Sequence, residues 1–185
     1  LKMKLNKKFE IGLFGINSSS GLSLTQHKMR WQAEWDEIKK LVIYCDKNGF
    51  DFILPLSKWQ GWGGKTNPNS LSYETFSFAS LLLNISKNLY FYSTVHVPFI
   101  HPVYAARTLG TISSYHKGRI GLNVVCGWNN KEYNMFFNGE EPLNEDRYKY
   151  GEEWIKIFKS LINKKNGPIN FHGKYFNIKS GNSFP

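Results

Sequence analysis

The chain has 185 residues, 41% hydrophobic and 16% aromatic, and 24 Lys and Arg against 14 Asp and Glu give a formal charge of +10. This is the composition of an ordinary globular domain with an unusual share of Phe, Tyr and Trp. No run approaches the ~18 apolar residues of a membrane span, and Cys45 and Cys126 form neither a disulfide framework nor a metal-binding spacing. A cytoplasmic setting follows as the expectation. The lysines are spread along the chain without a zinc-finger, RNP-type or basic-helix pattern, so they read as solvated charges and not as a nucleic-acid surface.

Residues 1–8 form a basic tail with no apolar signal core behind it, and the domain is expected over 9–185. Phe9 to Ile16 reads as a first strand, and the Ser- and Gly-rich segment 17–24 as a loop. Trp35, Ile38, Leu41, Val42 and Cys45 recur at helical spacing, with Asn48-Gly49 as the stop. Cys45 on that face is a core filler. A second strand at Phe50–Leu56 feeds a long polar loop, 57–72, that contains Gly61, Gly63 and Gly64; loops of that length inside a compact unit are usually functional or disordered. A helix over Tyr73–Ser86, a strand over Leu89–Val97 and a helix over Val103–Tyr115 follow. Residues 119–133 read as a buried strand that opens into a polar, aromatic loop, and Asn144–Asn163 as a helix with Trp154, Ile157, Phe158 and Leu161 as its core stripe. Segment 167–179 looks like a hairpin around His172-Gly173.

The order is strand then helix, four times over, followed by a hairpin. Such alternation implies a parallel sheet built by right-handed crossovers. Four units are half of an eight-fold α/β barrel of about 250 residues. Together with Leu at position 1 and an ending without a closing helix, this predicts a piece of a longer chain.

Within the fourth strand the polar Asn123 stands among Ile120, Leu122, Val124 and Val125. A buried amide needs hydrogen-bond partners, so Asn123 is expected to face a backbone group or a ligand. Gly64-Lys65-Thr66 is not a P-loop, because Trp59 occupies the position of the first required glycine. No Gly-x-Gly-x-x-Gly follows the first strand, which argues against a dinucleotide fold. His96 and His101 lack a neighbouring acid or thiol in sequence and read as structural or pocket-lining histidines. For Glu132, Arg147 and Tyr148, spacing alone leaves surface and ligand roles both open.

Several motifs carry a family resemblance: Gly-Arg-Ile-Gly-Leu-Asn-Val-Val-Cys-Gly-Trp at 118–128 with Glu132-Tyr133 after it, Arg147-Tyr148, Phe-His-Gly-Lys-Tyr-Phe at 171–176, and Gly-Trp-Gly-Gly-Lys-Thr at 61–66. In these the chain resembles the bacterial-luciferase-like, flavin-dependent monooxygenases, in the branch of the pyrimidine, dimethyl sulfone and alkanesulfonate enzymes. The glycine loop is similar to the pyrimidine branch, and His101-Pro102 to the sulfone branch. The resemblance implies the N-terminal half of a TIM (β/α)8 barrel. It also implies FMN contacts at Ser57, Lys58, Asn123, Glu132, Arg147 and Tyr148. Ser57 replaces a residue that is usually apolar in relatives, and Cys126 one that is often Thr or Ser.

The implied reaction uses reduced FMN as a cosubstrate, with O2 and a small organic substrate. A separate NAD(P)H-dependent flavin reductase would supply the flavin, and a homo-oligomer is expected. In that setting Asn123 would fix the flavin edge, while Lys58 and Arg147 would favour the anionic reduced form. Two other readings share the resemblance: a non-catalytic flavin-binding half-barrel that pairs with another chain, and a deazaflavin-dependent oxidoreductase of the same fold.

Overall fold

The computed structural model describes residues 9–137, 146–163 and 167–184. The basic tail and the expected helix start at Asn144 lie outside the described residues. The elements are β1 (Gly12–Phe14), α1 (Trp35–Lys47), β2 (Phe52–Leu54), α2 (Thr75–Leu83), β3 (Tyr90–His96), α3 (Pro102–Tyr115), β4 (Ile120–Val125), α4 (Asn130–Phe137), α5 (Arg147–Ile162), β5 (Ile169–His172) and β6 (Asn177–Gly181). Strands β1 to β4 form one sheet in chain order, and β5–β6 form a separate antiparallel hairpin. β1 pairs with β2 and β2 with β3 in parallel. Phe91 N donates to Arg119 O and Val97 N to Val125 O. Because both bonds carry the same sequence offset, β3 and β4 also run parallel. Each helix between consecutive strands is the crossover that this pairing requires.

The chain divides into two compact units, residues 1–94 with 116–123, and residues 95–115 with 124–185. The boundary falls within β3 and within β4.

In the first unit, α1 buries Ile38, Val42 and Cys45, and α2 buries Phe78, Ala79, Leu82 and Leu83. Ile53 of β2 and Phe91 of β3 complete that core. α1 ends where expected. Gly49 takes φ +78, and Asn48 N and Phe50 N donate back to Tyr44 O and Cys45 O. Glu74 caps α2 by accepting from Phe76 N and Ser77 N. Arg119 closes the far end of α2, donating to Leu83 O, Ser86 Oγ and Leu89 O.

In the second unit, α3 packs against α5, and α5 against β5. Trp154 is fully buried and its indole N–H donates to Ile100 O at 2.7 Å. Ile157, Phe158 and Leu161 continue the stripe predicted from their spacing. Glu153 accepts the backbone N–H groups of Lys174, Tyr175 and Phe176, so one carboxylate ties the hairpin to α5.

Two expectations are corrected. Residues 130–137 are helix α4 and not loop; an amphipathic segment of two turns is too short for its periodicity to stand out from sequence. β4 is also not fully buried. Only Ile120 is buried and the remaining five positions are half-exposed, because β4 is the last strand of the four-stranded sheet.

Candidate functional site

In the first unit, polar side chains join the segments after β1 and β2 to Thr94 of β3 and Asn123 of β4. After β1, the fully buried Asn17 donates through Nδ2 to Leu56 O at 2.7 Å and Tyr73 O at 2.9 Å, and its Oδ1 accepts Leu56 N at 2.8 Å. Near the end of β3, the Thr94 hydroxyl donates to Pro55 O at 2.6 Å and accepts Asn123 Nδ2 at 3.1 Å. A continuous path therefore runs from Asn17 through residues 55 and 56 to Thr94 and Asn123. Asn17 and Thr94, the buried side chains of this path, find their partners within it.

Asn123 is half-buried, not buried, and the partner its amide finds within the chain is the Thr94 hydroxyl and not a backbone group. Its side chain uses one amide hydrogen on Thr94 and makes no other hydrogen bond among the described residues. An amide oxygen and a second N–H thus remain for a ligand, which is the donor-and-acceptor pair that a flavin ring edge requires. Ser57 and Lys58 follow Leu56 directly and are half-buried. The Lys58 ammonium lies 4.1 Å from the centroid of the Trp62 ring.

Glu132, Arg147 and Tyr148 belong to the second unit. Glu132 lies in the first turn of α4, is 2% exposed, and places Oε2 3.7 Å from Nδ1 of His96. The acid that is missing near His96 in sequence is supplied by the fold. Glu132 thus brings a carboxylate to the imidazole at the end of β3. Tyr133, beside it, donates its hydroxyl to Cys126 O at 3.3 Å. Gly127 has φ +76, and a Cβ there would lie 2.8 Å from that hydroxyl.

Arg147 opens α5 and places its guanidinium 5.2 Å from the Tyr148 ring, whose side chain is exposed. Burial pushes the Cys126 thiol upward, and the nearby Arg147 charge pulls it the other way. The thiol is a packing group: a Cβ on Gly151 would lie 2.7 Å from its sulfur. His101 is held by local contacts. Its Nδ1 accepts Val103 N at 3.3 Å, its ring meets Phe176 edge to face, and burial lowers its pKa. No group of three metal-ligating side chains occurs among the described residues, and none of their helices is long and apolar enough to cross a membrane.

Sequence reasoning missed Asn17, Thr94 and Asn69. Asn69 is 5% exposed with φ +58. The available signal was Asn67-Pro68-Asn69, because asparagine is the non-glycine residue best suited to positive φ.

Residues 11–185 match the family described as luciferase-like monooxygenase. The chain belongs to that family. It is 31% identical over 172 residues to the pyrimidine monooxygenase RutA of Acinetobacter baylyi, covering 92% of this chain and 46% of that protein. With RutA of Caulobacter vibrioides it shares 30% over 171 residues, 91% of this chain and 48% of the relative. The chain thus spans about half the length of the curated relatives it matches. Among solved structures, riboflavin lyase RcaE, described with modified FMN, superposes with TM-score 0.81 at 20% identity, over 97% of this chain and 47% of its own. The long-chain alkane monooxygenase LadA gives TM-score 0.75 at 19% identity, over 96% and 49%. These likenesses establish the fold: four parallel strands that form half of an α/β barrel of the luciferase-like type.

Proposed function

We propose that the protein carrying this chain is a flavin-dependent monooxygenase that uses reduced FMN and O2 on a small organic substrate of pyrimidine, sulfone or alkanesulfonate type. The observation that carries the reading is Asn123, held by Thr94 at the C-terminal end of the sheet with a donor and an acceptor to spare. In α/β barrels this is the end that carries chemistry. Reduced flavin, when bound, supplies the two electrons that activate O2, one oxygen atom going to substrate and the other leaving as water.

The chain's own contribution is binding and orientation. Asn123 fixes the flavin ring edge through its amide. Lys58 and Arg147 supply the positive charge that favours an anionic ring system. Ser57, Glu132 and Tyr148 complete the contacts. A separate NAD(P)H-dependent reductase supplies the flavin, the protein forms a homo-oligomer, and its setting is cytoplasmic.

The deciding experiment is anaerobic titration of the protein with reduced FMN, with reduced deazaflavin run in parallel, followed by exposure to O2 and substrate. Tight binding of reduced FMN that is weakened about ten-fold by Asn123→Ala supports the assignment, that factor being the loss of one hydrogen bond of about 1.4 kcal/mol. Unchanged affinity removes Asn123 from the site. Preference for the deazaflavin replaces oxygen transfer with hydride transfer.

A further inference from the structure

The glycine loop after β2 is a folded structure. Gly63 N donates to Asn67 Oδ1 at 2.8 Å, Trp62 N to Pro68 O at 3.1 Å, and Arg30 Nη1 to Thr66 O at 3.1 Å. A Cβ on Gly61 would lie 2.3 Å from Asn67 Oδ1 and 2.9 Å from Ser70 Cα, so the chain folds too closely there for a side chain. At the base of the loop sits Asn69. Its Nδ2 shares its two hydrogens among Gly21 O at 2.7 Å, Ser18 Oγ at 3.0 Å and Ser19 O at 3.2 Å, and its Oδ1 accepts the indole N–H of Trp62 at 3.1 Å. The indole anchored in this way lies under the Lys58 ammonium, 4.1 Å from the ring centroid.

We infer that Asn69 is a positioning residue for Lys58, acting through the ring of Trp62, and that this three-residue relay sets where a positive charge meets an anionic ring ligand. The physical need is specific. Lysine is a point charge on a four-carbon stem with several rotatable bonds, and by itself it would sample many positions. An indole face attracts the ammonium directionally and restrains it only if the indole is itself fixed. Here the fixing bond comes from a buried amide whose donors reach Ser18, Ser19 and Gly21, so the loop that carries Lys58 is tied to the segment that follows β1. The inference rests on the reading of Lys58 as a contact to reduced FMN.

The test is a double-mutant cycle with a second readout that needs no flavin. Reduced FMN is titrated anaerobically into the protein that carries this chain and into its Lys58→Met, Trp62→Leu and combined variants. Trp62→Leu is expected to weaken binding about two- to five-fold, with no further loss when it is added to Lys58→Met. Additive losses overturn the relay, because independent residues add.

In parallel, NMR of the Lys58 ε-methylene is expected to show an upfield ring-current shift that disappears in Trp62→Leu and shrinks in Asn69→Ala. Trp62→Phe keeps a ring, loses the N–H and leaves Asn69 intact, so it provides the same test should Asn69→Ala not fold; its shift is expected to shrink as well. A full shift in either of those two variants overturns the positioning role. Normal reduced-FMN affinity in Lys58→Met overturns the flavin reading beneath it, and the ring-current result then judges the Asn69–Trp62–Lys58 relay by itself.

Discussion

Thr94 shows how one hydroxyl links architecture to chemistry. It is 6% exposed, donates to Pro55 O and accepts from Asn123, and its own backbone oxygen accepts the Thr75 hydroxyl at 2.9 Å. Thr94→Val keeps the shape and removes the hydroxyl, leaving a buried carbonyl without its donor and Asn123 without its restraint. The expected cost is about 1–3 kcal/mol of stability in urea titration, together with weaker binding of reduced FMN. Loss of stability with unchanged binding would confine Thr94 to the fold. The identity of Asn123 as an anomaly was legible from sequence, since a lone amide stands out among apolar neighbours. Its partner was not legible, because Thr94 lies 29 positions away and meets it only through the pairing of β3 with β4.

At the scale of elements, the joints between helices and strands are held by single carboxylates. Asp46 in α1 accepts the backbone N–H groups of Asn88 at 2.7 Å, Leu89 at 3.0 Å and Lys87 at 3.0 Å, fixing the turn that leads into β3. Burial pushes its pKa upward, but these three bonds and the Arg119 charge outweigh it and hold the carboxyl below its ordinary value. A lowered folded value means that Asp46 stabilises fully above about pH 4, and that this contribution fades as pH falls through the lowered value. Asp46→Asn is therefore expected to cost about 1–3 kcal/mol at pH 7 and to flatten the acid side of the stability profile, as measured by urea midpoints from pH 7 to pH 3. A steeper acid limb in the variant would contradict this. Gly151 provides a second joint, where a Cβ would press on the Cys126 sulfur at 2.7 Å. Gly151→Ala should lower stability by about 1–3 kcal/mol through overpacking, and Cys126→Ala in the same chain should recover much of that loss. Equal melting of the single and double variants would show that the sulfur is not the obstacle.

At the scale of the whole molecule, the formal charge of +10 bears on an anionic ligand more than on fold. Affinity for reduced FMN is expected to fall several-fold as ionic strength rises from ~0.01 to ~0.15 M, because the screening length shortens from ~30 to ~8 Å. Salt-independent titrations would show that the ligand does not sense the net field. The sheet ends at β4, whose half-exposed positions fit a strand with a further neighbour, consistent with a chain that spans about half the length of its relatives.

Local chemistry was enough to write the order of elements. The stripe of α1, the stop at Asn48-Gly49, the stripe of α5 and the hairpin around His172-Gly173 are each short-range patterns of apolar spacing and turn residues, so the sequence alone determined four β-α units and a parallel sheet. Family motifs then named the candidate contacts. Only the tertiary structure decided which of those side chains have hydrogen-bonding capacity left for a ligand. It buried Glu132 against His96, tied Asn123 to Thr94, and made Asn17 and Asn69 the anchors of two loops. Each of these depends on partners dozens of positions away or on a helix too short to announce itself. The physical reason is that polar residues are specified by whom they meet and not by how they repeat. Periodicity encodes where a side chain points, whereas its hydrogen bonds are settled only when strands and loops are brought together.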